Sequence, residues 1–176
     1  MERRGKKSIF LYAALLTVLA AGLCVRALYG FCWSDESFYL TFAQRLWNGQ
    51  QLILDEWHPV QFYSAIFYPV LTAYRFFFGT EGIYLFARIL YVVLAWGVSL
   101  FVLFTFRKYT KPFPAFLCAA LVLSYSRGNI WGLSYYNLFL LLTITALCLL
   151  LRGRGKRGLL LLSGLCLGFS VLCVPY

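Results

Sequence analysis

The chain has 176 residues, 62% hydrophobic and 20% aromatic against 12% charged, more apolar surface than a water-soluble domain of this size can hide. Apolar runs of about 20 residues recur, which predicts an all-α integral membrane protein. The net charge of +10 does not point to nucleic acid: eleven of the sixteen Lys and Arg fall in three short tracts at the ends of apolar runs, as at cytoplasmic membrane edges.

The first tract, Arg3, Arg4, Lys6 and Lys7, precedes an apolar run that predicts a span over 9–28. At 1.5 Å per residue, about 20 residues cover about 30 Å, one hydrocarbon core. A secretory signal has a shorter apolar region, roughly 7–15 residues, and no convincing small-x-small cleavage site stands before the loop, so the run reads as an uncleaved span. Arg26 lies at its far end, where it can snorkel. Residues 29–82 then form the first loop. Within it Ser37, Thr41, Gln44 and Asn48 recur on one face of an amphipathic helix, with Phe38, Phe42, Leu46, Tyr39 and Ala43 on the other. Gly49 is its stop signal. Such a helix is expected to lie flat on the outer leaflet with its aromatics in the lipid boundary. Residues 62–78 are apolar but carry Pro69, Arg75 and several tyrosines, the content of an interfacial helix.

Further spans are predicted at about 83–106, 112–128, 133–151 and 159–175, five in all with the first. The basic tracts decide the topology. If 62–78 crossed, Arg107, Lys108 and Lys111 would fall outside with Arg152, Arg154, Lys156 and Arg157. If it lies along the outer face, all three tracts are cytoplasmic, as the positive-inside bias requires. The N-terminus is then cytoplasmic and the 29–82 loop extracytoplasmic, an arrangement expected for a bacterial plasma membrane. The six cysteines, Cys24, Cys32, Cys118, Cys148, Cys166 and Cys173, show no metal-like spacing; all but Cys32 fall in or beside apolar runs as small hydrophobes.

Four of the six acidic residues sit in the first loop as two adjacent pairs, Asp35–Glu36 and Asp55–Glu56, beside the lone histidine, His58. An acid before a helix is an ordinary N-cap, and a loop acid is ordinarily solvated. The same carboxylates can also do chemistry. One can take a proton from an attacking hydroxyl, and others can hold a divalent metal that binds a phosphate leaving group. Arg26, Arg45, Arg75, Arg88 and Arg127 supply anion contacts or snorkel at the interface.

The order of these pieces resembles the GT-C superfamily of membrane glycosyltransferases. The nearest branch contains protein O-mannosyltransferases, lipid A aminoarabinose transferases and bacterial Rgt-type sugar transferases. The resemblance rests on one span followed by "DESFYLTFAQRLWNGQ", then "LDEWHP" with its Asp-x-x-His-Pro core at Asp55, His58 and Pro59. An interfacial helix then leads into "FARIL", which carries Arg88, and "LSYYNL" with Asn137 resembles a segment of bacterial members. The resemblance implies transfer of a sugar from a polyprenyl-phosphate donor to a lipid, glycan or protein acceptor on the outer face, usually with inversion. By position, Asp35 would be the general base or orient the acceptor, supported by Glu36. Asp55, Glu56, His58, Arg88 and Asn137 would contact substrate. Metal use varies among relatives, so the resemblance leaves a divalent metal open. Some relatives carry a second acid in the loop after the third span; here Asn129 or Asn137 is the nearest polar substitute. Relatives run to several hundred residues with more spans, so residues 1–176 are expected to correspond to their N-terminal part. The alternative is a non-enzymatic multi-span protein, an assembly subunit or transporter fragment, whose acids are helix caps and loop charges.

Overall fold

The computed structural model describes residues 2–30, 35–126 and 131–174, with the side chains of residues 2–7 and 35 outside the description. Among the described residues there are seven helices and no strand. In chain order they are α1 (Glu2–Ala27), α2 (Asp35–Trp47), α3 (Tyr63–Phe78), α4 (Ile83–Phe106), α5 (Pro112–Ser124), α6 (Tyr135–Arg152) and α7 (Arg157–Cys173). Three are long and apolar enough to cross a membrane: Ser8–Ala27 of α1, α4 and α6. α5 and α7 are apolar but shorter, at 13 and 17 residues.

Local sequence explains the helix ends. Pro112 opens α5, where its missing N–H removes nothing and its fixed φ suits the first turn. Ser134 caps α6, its hydroxyl accepting from the Asn137 backbone N–H at 3.1 Å. Gly79 ends α3 at φ +69°, and its N–H donates to the Arg75 carbonyl at 2.9 Å. Gly82 opens α4 at φ +67°; a Cβ there would stand 3.0 Å from the Tyr74 hydroxyl. That hydroxyl donates to the Glu81 carbonyl at 2.7 Å, and the Tyr74 ring stacks on Phe86 with centroids 4.3 Å apart. The α3–α4 corner is therefore closed by side chain, backbone and a residue that only glycine replaces without strain.

α4 lies at the centre of the packing. Its buried Ala87, Tyr91, Val92, Ala95, Val102 and Leu103 join a core that includes residues of α1, α5 and α6. α6 and α7 form a hairpin, cross-linked by the Ser163 hydroxyl donating to the Ala146 carbonyl at 2.8 Å. The outer faces of α1 and α7 stay uncovered: Phe10, Val18, Leu161 and Leu165 are all exposed. Apolar exposure on this scale suits a lipid surround rather than water.

The helices sort charge between two ends. At one end the Tyr109 hydroxyl after α4 donates to the Leu151 carbonyl of α6 at 2.8 Å, and Tyr12 stacks on Phe116 near the start of α5 at 4.8 Å. Arg107, Lys108, Lys111, Arg152, Arg154, Lys156 and Arg157 gather there. At the other end the close of α1 meets the start of α4, the Arg26 guanidinium lies 4.7 Å from the Trp131 ring centre, and Tyr91 donates to the Tyr125 carbonyl at 2.8 Å. α2, α3 and the loop acids occupy this end.

The α4 boundaries agree with the expected 83–106, and α3 begins one residue after the expected 62. The expected 112–128 helix ends at Ser124, where Tyr125 turns extended. Residues 127–130, which include Arg127 and Asn129, lie outside the described residues, as does the end of the expected 159–175 span. The expectation for the apolar face of α2 needs correction. Phe42, Ala43 and Tyr39 are buried in protein, whereas Phe38 stays exposed and Leu46 half-buried. Partners from α3 and α6 supply the apolar cover that the isolated helix pattern seemed to need from the bilayer.

Candidate functional site

The start of α2 is the best-fixed point at the acidic end. Glu36 is 9% exposed, and Arg88 of α4 grips it as a two-pronged fork: Nε to Oε1 and Nη2 to Oε2, both at 2.5 Å. The same guanidinium donates from Nη1 to the Ala27 carbonyl at 3.0 Å and from Nη2 to the Gly30 carbonyl at 3.2 Å. Ala27 is the last residue of α1, where carbonyls lack helical partners and the dipole favours a cation. One arginine thus ties the end of α1, the start of α2 and the start of α4.

A second wall comes from the segment before α6. A Cβ on Gly132 would stand 3.9 Å from Glu36 Oε1, so this backbone runs directly past the carboxylate. The Gly132 carbonyl accepts from the Asn137 side-chain Nδ2 and from the Ser134 N–H, each at 2.9 Å. Asn137 is fully buried, and its amide nitrogen holds this turn in place. Beside it Tyr39, Tyr63 and Tyr135 meet edge to face, with centroids 5.4 to 6.1 Å apart. The Tyr63 hydroxyl donates to the Tyr39 carbonyl. Burial, then the neighbouring Tyr39, Tyr135 and Cys173, push the Tyr63 hydroxyl well above the ordinary tyrosine range, so it remains a proton donor.

The second acidic pair folds as a tight turn seated on the far part of α2. Glu56 pairs with Arg45, and its Oε1 accepts from the backbone N–H of Trp57 and of His58, each at 3.0 Å. Asp55 is exposed and accepts from the Gln51 N–H at 2.7 Å. Gln61, buried, closes the turn from both sides: it accepts from the Ile53 N–H at 2.6 Å and donates to the Glu56 carbonyl at 3.1 Å. Ile53 sits at φ +73°, a conformation that branched residues rarely adopt. His58 lays its ring edge against Phe38 and Phe42 at 5.2 and 5.9 Å, and its Nδ1 accepts from the Val60 N–H at 3.3 Å. In the neutral ring the proton is therefore on Nε2.

The structure brings Glu36, Arg88 and Asn137 to one wall, and Asp55, Glu56 and His58 to another. The two groups lie along α2, with the His58 ring between them against Phe38 and Phe42. Glu36 and Arg45 are nine residues apart, about 13 Å along the helix axis. The Asp35 side chain lies outside the described residues; its backbone begins α2, one residue before Glu36. Among the described residues no three His, Cys, Asp or Glu side chains converge as a metal site. Glu36 and Glu56 are each turned onto an arginine, so the described donor set does not fit a divalent cation. The expected anion contacts Arg26 and Arg75 rest on the rings of Trp131 and Trp47, each at 4.7 Å.

Gln61, Gly132 and the tyrosine trio escaped the sequence reading. Gln61 follows the His-Pro motif in an unremarked polar stretch, and the tyrosines come from three separate helices. No protein-family model matches the chain, and no curated protein or solved structure matches it significantly.

Proposed function

We propose that the chain is a membrane glycosyltransferase of the GT-C kind, or its N-terminal catalytic portion, working at the extracytoplasmic face. In this reading the chain crosses the bilayer five times, through α1, α4, α5, α6 and α7. The gathering of the basic tracts at one end and of the acidic loop at the other supports it.

The reaction proceeds as follows. An acceptor hydroxyl attacks the anomeric carbon of a polyprenyl-phosphate sugar. Asp35 takes the hydroxyl proton. The bond from that carbon to the phosphate oxygen breaks, the phosphate leaves with the electron pair, and the configuration inverts. Glu36 and Arg88 act as positioning residues: their fork fixes the start of α2 and so the Asp35 backbone. Asp55, Glu56 and His58 line the approach along α2, and no step is routed through a metal.

The observation that carries the reading is the Glu36–Arg88 fork with its bonds to the end of α1. It anchors an acidic pair at the exit of the first apolar helix, where a lipid-borne donor would meet a water-borne or lipid-borne acceptor. Asp35→Asn and Asp35→Ala are expected to abolish transfer of a labelled sugar from polyprenyl phosphate while membrane insertion is unchanged. Wild-type transfer by either variant would overturn the assignment of Asp35. Reporters after Leu28, Gly79, Lys111 and Gly155 test the topology; acidic and basic ends on the same side of the bilayer would sink the reading.

A second reading, a non-enzymatic multi-span protein, draws on the engagement of Glu36 and Glu56 by arginines within the fold. It predicts that His58→Ala and Asp55→Asn are tolerated in every cellular assay.

A further inference from the structure

α2 buries most of its apolar face, and its polar face borders a cavity of about 340 Å³ against the α3–α4 corner. Ser37, Thr41, Gln44 and Trp47 line it from α2, and Thr80 and Tyr84 from the corner. Its apolar patch is Leu40 and Ile83. The volume falls within the roughly 300–1,000 Å³ of small-ligand sites.

The chemistry of the lining narrows the ligand. Among the described residues no Lys, Arg, Asp or Glu lines the cavity, although the end of the molecule that holds it is rich in both signs of charge. A phosphate or a carboxylate would find no counter-charge in that described lining; the Arg75 guanidinium lies over the Trp47 ring and is not itself part of the wall. What the walls offer is neutral hydrogen bonding at several points. Thr41 donates its hydroxyl to the Ser37 carbonyl at 2.8 Å and so keeps its oxygen as an acceptor. Gln44 donates to the Asn48 side chain at 3.1 Å, which orients the amide and leaves Oε1 to accept. The Tyr84 and Thr80 hydroxyls can donate or accept. Two aromatic rings, Trp47 and Tyr84, complete the wall. Trp47 is held by its N–H bond to Thr72 at 2.8 Å and by Arg75 over its ring.

Hydroxyl and amide partners beside two aromatic side chains, with Trp47 pinned in place, match a ring that carries both hydroxyls and C–H groups. We propose that this cavity binds a neutral sugar ring, the saccharide unit of the acceptor. The acceptor role rests on the glycosyltransferase reading; the binding does not. Ser37 stands two residues from Asp35, so a sugar bound here lies along the same helix as the general base of that reading. The sugar can belong to a free oligosaccharide or to a glycolipid headgroup.

The test uses the full chain in phosphatidylcholine nanodiscs prepared without sugar detergents. One arm records saturation transfer to maltotriose. The other compares tryptophan fluorescence in nanodiscs doped with monoglucosyl diacylglycerol or with plain diacylglycerol. A sugar-dependent signal is expected in at least one arm, and which arm responds identifies the source. Gln44→Leu and Tyr84→Ala should each weaken it about tenfold, the scale of one lost hydrogen-bonding or stacking partner. Thr41→Val, nearly isosteric, is the check against misfolding and should weaken it with unchanged circular dichroism. No signal in either arm, or a signal indifferent to all three cavity variants, overturns the proposal. Sugar binding without transfer by the wild-type chain would reject the glycosyltransferase reading alone; transfer without this binding would reject the cavity alone.

Discussion

α2 is held at both ends by an arginine–glutamate pair, and the two pairs are unlike. At its start, the Arg88 and Glu36 side chains are 16% and 11% exposed, and Arg88 also reaches two carbonyls of the first helix and its exit. At its far end, the Arg45 and Glu56 side chains are 42% and 18% exposed, and the link runs to a turn rather than to a packed helix. The same two residue types make a structural bolt in one place and a solvent-screened latch in the other. Burial and the number of additional partners decide which.

That contrast breaks most sharply at Arg88. Arg88→Leu leaves Glu36 buried without its fork and is expected to cost about 3–5 kcal/mol, read as loss of folded protein in a thermal unfolding series. Combining it with Glu36→Leu should restore most of that stability, because no charge is then stranded. Failure of the double variant to recover would show that the carbonyl bonds of Arg88 matter more than the ion pair. Next on the buried side is Asn137→Ala, which strips the Gly132 carbonyl of its side-chain donor and should cost about 1–3 kcal/mol in the same assay.

On the exposed side the effects shrink. Arg45→Ala should cost only about 0.2–1 kcal/mol, and that difference should shrink at 1 M salt, where the exposed part of the pair is screened. Glu56→Ala should exceed it, since Glu56 also accepts two backbone N–H groups. Equal costs would mean that the turn is held by the ion pair alone. The smallest effect has the opposite sign. Ile53→Gly relieves a left-handed branched residue and should raise stability by about 0.5–1 kcal/mol, after the extra chain entropy of glycine is counted.

How much of this was legible in sequence follows from range. α4, a continuous apolar run between Gly82 and Arg107, was placed to the residue, and α3 nearly so, because the signals are local. The acidic pair at the mouth of α2 was likewise visible. The fork was not, since Glu36 and Arg88 stand 52 positions apart and nothing in either local pattern names the other. The face of α2 was read correctly as amphipathic, but its cover was misassigned. Periodicity tells which side is apolar and cannot distinguish lipid tails from Tyr63 and Tyr135. The expected third span, 112–128, stops short at Ser124, because Tyr125 has already left helical geometry.

The corner between α3 and α4 has one more consequence. With Gly82, Tyr74 and Phe86 locked together, α3 behaves as a lever welded to a long rod. The cavity wall at Thr80 and Tyr84 is therefore carried as one piece with α3 and the start of α4.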